Sequence, residues 1–124
     1  MSLSFMEIVY FLLPLVIAST VPLAIVALGG LFSERSGVVN IALEGIMLMG
    51  AFVGAVVIKS LENFDSLGDQ WIALIGLLVG AIIGIIFSLL HAFASVNMKA
   101  NQIISATALN MFAPAFAIFM NRTL

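Results

Sequence analysis

Twenty consecutive residues, Trp71 to Leu90, carry no charged side chain. That is about the ~20 apolar residues an α-helix needs to cross a hydrocarbon core of roughly 30 Å. Backbone N–H and C=O groups find no water inside lipid, so only helices and closed barrels span it. Three more segments read the same way: Ile8–Phe32, Asn40–Ile58 and Gln102–Met120. The expectation is an all-α, polytopic transmembrane helix bundle. Its helices, about four, should lie near 8–32, 40–58, 71–95 and 102–120. Composition agrees, with 64% hydrophobic and 8% charged residues, against roughly 45–50% and 25% in soluble domains. A chain of 124 residues makes one domain at most.

The ends of these segments carry recognisable punctuation. Ser4 and Glu7 stand at capping-box spacing ahead of the first, and Ser66 and Asp69 ahead of the third. Pro14 and Pro22 predict a kink in the first segment, because proline removes a helical N–H. Lys59 to Gln70, with three acids and one lysine, is the clearly water-exposed loop. Trp71 follows it where an interfacial aromatic belongs. Asn101 is placed to cap the fourth segment, which Asn110 and Pro114 interrupt and Arg122 closes. With four crossings, Lys59 and Arg122 fall on the side of the N-terminus and Arg35 and Lys99 on the other. Two basic residues against two leave the orientation open. Met1 to Glu7 contains no Lys or Arg, so a secretory signal with a basic n-region is not expected.

Between the first two segments lies a stretch that ordinary membrane helices lack. Gly29 to Gly50 (GGLFSERSGVVNIALEGIMLMG) holds Glu34, Arg35, Asn40 and Glu44 among apolar neighbours. An ionised residue at a bilayer centre costs roughly 2.5–3.5 kcal/mol on insertion scales, so charge kept there marks a use. Gly37 can take φ > 0 and end a helix, and Asn40 can cap the next. Glu44 would then lie one turn on, over Asn40, where the positive helix start favours an anion. A polar, non-helical break within 33–39, drawn toward the membrane interior, is the expectation. For Glu44 three readings stand: a place in a translocation path, a structural pair with Arg35, or a position at the membrane surface.

Small residues speak to packing. Gly76, Gly80, Gly84, Ser88 and Ala92 recur every fourth position, and Gly50 and Gly54 repeat the spacing on the second segment. Such stripes let helices approach closely, which is what drives association in lipid. Leucine at Gly80 or Gly84 should therefore force two helices apart. Asn110, an amide within an apolar run, reads either as interhelical glue or as a solute contact. His91 reads as structural or interfacial rather than as a proton relay. The methionines Met47, Met49, Met98, Met111 and Met120 read as adaptable filler. There is no cysteine, GxxxxGK[ST], G-x-S-x-G or HExxH. Disulfides and thiolate metal sites are excluded, ATP hydrolysis by a P-loop is excluded, and no metal or cofactor is expected. With a net charge of −2 and no basic patch, nucleic acid is not an expected partner.

Two runs carry a resemblance. LGGLFSERSGVVNIALEGIMLMGAF resembles the signature near the N-terminus of ABC-importer permeases of the branched-chain amino acid and simple-sugar type, nearest their nucleoside-uptake branch. HAFASVNMKANQIISATALNMFAP, from His91 to Pro114, resembles the same subunits over their next characteristic stretch. On that likeness, Glu34, Arg35, Gly37, Asn40, Glu44 and Gly45 occupy motif positions. The resemblance implies a multi-pass subunit of a bacterial plasma membrane and not an enzyme. It pairs with a second permease, is energised by a cytoplasmic ABC ATPase and is supplied by an extracytoplasmic solute-binding lipoprotein. It also implies that 1–124 is the N-terminal portion of one longer permease domain. Asn40, Glu44 and Asn110 are the residues expected along the path of a nucleoside or simple sugar. Two alternatives remain at this level. One is a four-helix multidrug or cation exporter using Glu44 as a proton-coupled site, although Trp71 and Tyr10 alone supply the bulky polar aromatics such a path wants. The other is a structural membrane subunit.

Overall fold

The computed structural model describes residues 4–62 and 68–123. It consists of α1 (Phe5–Arg35), α2 (Leu43–Leu61), α3 (Asp69–Ala92) and α4 (Gln102–Thr123). A five-residue π segment, Phe93–Asn97, prolongs α3. The chain is thus all-α, with four helices long and apolar enough to cross a membrane among the described residues. Most large apolar side chains face outward, as Leu77, Ile82, Ile85 and Leu89 do on α3. In water that surface would be a liability; in lipid it is the natural exterior.

The polar break is present but displaced. α1 continues helically through Ser33, Glu34 and Arg35 and ends three residues beyond the expected limit of 32. Nothing in Ser-Glu-Arg opposes a helix, and a cation in the last turn suits the negative end of the dipole. The exit is made by Gly37 at φ 88°. The Gly37 N–H donates to Glu34 O at 3.0 Å and the Val38 N–H to Ser33 O at 3.3 Å. These two bonds form a Schellman ending, which needs a left-handed residue at that position. Pro14 and Pro22 lie inside α1, which runs unbroken past both.

α2 likewise starts later than expected, at Leu43 rather than at 40. Asn40 does not cap it: its Oδ1 accepts the Ala42 N–H at 3.1 Å, an Asx turn that competes with helix. Ala42 is the N-cap, so Glu44 sits in the first turn and shares no helical face with Asn40. Asn101 does cap α4, accepting the Ile103 N–H at 3.0 Å. Ahead of α1, the Ser4 N–H donates to Glu7 Oε2 at 2.9 Å, and the expected capping box between Ser4 and Glu7 is present. Ser66 lies outside the described residues, and Gly68 is the N-cap of α3.

α2 and α3 form a close antiparallel pair. A Cβ built on Gly50 would lie 2.9 Å from Gly80 O, and one on Gly54 the same distance from Gly76 O. Backbone meets backbone there, so Gly50, Gly54 and Gly80 exclude a side chain, while a Cβ on Gly76 would press on the Ile58 side chain and lie 3.2 Å from Gly54 O. Gly84 is different, since its added Cβ would meet only Ile46 Cγ2 at 3.8 Å, an ordinary contact. The close approach therefore fades before Gly84, and a small side chain has room there. α4 closes on α2 through Phe52 and Phe116, edge to face with centroids 6.4 Å apart. The stacked series Phe87, Phe112 and Phe116 links α3 to α4. α1 stands apart, with Gly30 its one buried residue among those described. It meets α2 where Leu43 Cδ1 would lie 2.7 Å from a Cβ on Gly30. Between α1, α2 and α3 opens an apolar groove of about 790 Å³, lined by residues such as Val26, Met47, Ala51 and Leu77.

Candidate functional site

Register places the polar turn below the end of the bundle. Gly50 faces Gly80 and Gly54 faces Gly76, so Leu43 at the start of α2 stands level with about residue 87. α3 and its π segment run on to Asn97, on the order of 15 Å further at 1.5 Å per residue. The 19 residues of α2 make only about 28 Å of helix, while the 31 of α1 make about 46 Å. Residues 36–42 lie against the first turns of α4.

α4 fixes this turn. Gln102, the first residue of α4, accepts the Val39 N–H on its Oε1 at 2.8 Å. Two turns on, Asn110 Oδ1 accepts the Gly45 N–H at 2.8 Å. Its Nδ2 donates to Ile41 O at 2.9 Å. The first four N–H groups of a helix have no partner within it, so Asn110 serves α2 as a cap supplied by another helix. Gly45 makes this possible, because a Cβ there would lie 2.8 Å from both Asn110 Oδ1 and Leu109 O. Both ends of the Asn110 amide are thus engaged within the protein.

Asn40 and Glu44 lie between these anchor points. Asn40 is half-buried, with its Oδ1 held by the Ala42 N–H; Glu44 is exposed in the first turn of α2. The positive end of the α2 dipole favours negative charge at that position. Glu44 makes no ion pair with Arg35 among the described residues, so the pairing reading finds no contact here. Glu34 and Arg35 are exposed at the end of α1, and Gly37 holds the turn itself.

The apolar groove and the polar turn are separate features: Asn40, Glu44 and Asn110 do not line the groove. His91 is buried at 2% exposure, with Nδ1 3.2 Å from Ser105 Oγ. Its Nε2 and the Ser95 Oγ have no partner among the described residues. No group of three or more His, Cys, Asp or Glu able to hold a metal occurs among the described residues. Sequence reasoning passed over Gln102 and Ser105. The available signal for Gln102 was an amide beside Asn101 at the head of an apolar run, and that signal does not reveal a partner 63 positions away.

Comparison with known proteins now decides the family. The family model described as the branched-chain amino acid transport system/permease component matches residues 12–124. The chain belongs to this permease family. Among curated proteins it is similar to the nucleoside ABC transporter permease protein NupC of Lactococcus lactis subsp. cremoris, 44% identical over 99 residues, which are 80% of this chain and 30% of that one. It is also similar to the guanosine ABC transporter permease protein NupQ of Bacillus subtilis, 40% identical over 116 residues, 92% of this chain and 35% of that one. A putative glucose ABC transporter permease protein of Haloferax volcanii is 37% identical over 102 residues, 82% of this chain and 28% of the relative. The permease chain thus spans about a third of the length of these relatives. No solved structure matches it. The exporter reading gives way to membership of this family, and the chain is a multi-pass membrane protein of the ABC permease kind.

Proposed function

We propose that these residues form the N-terminal portion of one permease domain that imports a nucleoside, with Asn40 and Glu44 contacting the solute. The carrying observation is a sunken polar turn that leaves Glu44 exposed at the head of a short helix. Similarity to relatives named for nucleoside and guanosine transport supports the solute class. A nucleoside has several donors and acceptors and no net charge. Its path needs polar groups to replace lost water bonds, each weak enough to release it. A hydrogen bond to a charged group contributes about 1.5–3 kcal/mol, so one or two hold a solute without trapping it. Asn110 enters this reading through the backbone it holds. The partners are a second permease subunit, a cytoplasmic ABC ATPase that hydrolyses the ATP, and a solute-binding lipoprotein, assembled in the plasma membrane.

The test is uptake of labelled nucleoside by the complete transporter. Glu44→Gln keeps the shape and removes the charge, whereas Glu44→Ala removes both. Uptake falls in both, by about tenfold or more if one charged hydrogen bond is lost, and the Gln variant still assembles. Normal uptake by both would take Glu44 out of the path. Loss of assembly in the Gln variant would instead assign Glu44 a structural role.

A further inference from the structure

We infer that Gln102 is a positioning residue of the solute site, acting through the backbone of Val39 without touching the solute. The inference rests on the proposed roles of Asn40 and Glu44. Three hydrogen bonds tie the segment 39–45 to α4, and they bracket those two side chains. Gln102 Oε1 takes the Val39 N–H one residue before Asn40, at 2.8 Å. Asn110 Nδ2 donates to the Ile41 carbonyl just after Asn40 and its Oδ1 accepts the Gly45 N–H just after Glu44, at 2.9 and 2.8 Å.

Of the two straps, Gln102 is the one whose loss leaves the rest standing. Asn110 completes the start of α2, so its removal opens a helix end. Val39 belongs to no helix and its side chain is 46% exposed. Without Gln102, the backbone at 39 keeps the Gly37 exit and the Ser33 Oγ bond to the Val38 carbonyl at 2.9 Å before it and the Asx turn after it, but nothing that ties it to α4. Gln102 is half-buried at the first position of α4, where Asn101 already caps the helix. Its side chain is therefore not required by α4 itself. The turn is held to α4 at its near end by one amide oxygen, and a displacement of the α4 start carries Asn40 with it.

The experiment is nucleoside uptake by the complete transporter carrying Gln102→Met, Gln102→Asn or Gln102→Glu. Met matches the length without a carbonyl, Asn falls one methylene short, and Glu keeps the acceptor. Loss of one hydrogen bond predicts a rise of about threefold to tenfold in the nucleoside concentration for half-maximal uptake in the Met and Asn variants. The Glu variant should return to within about twofold, with the amount of transporter in the membrane unchanged. In an Asn40→Ala background, Gln102→Met should add little, since the contact it positions is already gone. Normal uptake by the Met and Asn variants, with Glu44→Gln impaired, would overturn the inference and leave the solute site intact. Impaired Met and Asn variants with normal Asn40→Ala and Glu44→Gln variants would remove the solute site and the positioning role together. Full additivity of Gln102→Met with Asn40→Ala would make Gln102 a general structural residue and also overturn it.

Discussion

At the residue scale, Gly45 and Asn110 act as one unit. Gly45→Ala sets a Cβ against the Asn110 amide and the Leu109 carbonyl, an overpacking that costs about 1–3 kcal/mol. Asn110→Leu strands the buried Gly45 N–H, and an unsatisfied buried group costs about 1–3 kcal/mol; it also frees the exposed Ile41 carbonyl. Both substitutions should lower the melting temperature of the purified transporter in detergent. Because they destroy the same contact, the double variant should melt close to the worse single variant. Additive losses would show that the two positions act separately. This pairing also explains why glycine stands at a position otherwise suited to any good helix former: the missing side chain is filled by an amide from α4.

At the scale of elements, the α2–α3 crossing sets what each glycine tolerates. Gly80→Leu should sharply reduce membrane accumulation, since a Cβ at Gly80 already falls 2.8 Å from Gly50 O. Gly84→Ala should accumulate normally. Equal losses at the two positions, read by immunoblot of the membrane fraction, would mean that the helices cross in another register. Helix number and identity were legible in the sequence because uncharged apolar runs and the caps at Asn101 and Gly37 are local signals. The limits of α1 and α2 were not, because Ser33 to Arg35 are neutral toward helix and Asn40 has two competing local uses. Gln102 with Val39 and Asn110 with Gly45 depend on how α4 lies against α2, and no spacing along the chain encodes that. Asn40 and Glu44 stood out for a simpler reason: polar groups among apolar ones need an explanation wherever they end up.

At the scale of the whole molecule, four crossings put Ser4 and Arg122 on one side of the membrane and the α3–α4 junction on the other. The Gln102–Val39 bond agrees, since it brings the first and third connections to the same end. The natural sequence has no cysteine within these residues, so single introduced thiols report cleanly. In sealed vesicles S4C and R122C should react with an impermeant reagent from the same face, and M98C from the opposite one. Reaction of all three from one face would break the four-crossing arrangement.

The loose attachment of α1 bears on how such a chain is assembled. α2, α3 and α4 interlock through glycine contacts, stacked rings and amide bonds, whereas α1 touches them at Gly30 and Leu43. Its 31 residues are long enough to rest in lipid unaided. During synthesis, therefore, α1 can leave the insertion machinery first and wait as an independent span. The later three helices can then condense on one another without it, since their glycine, ring and amide contacts do not involve α1.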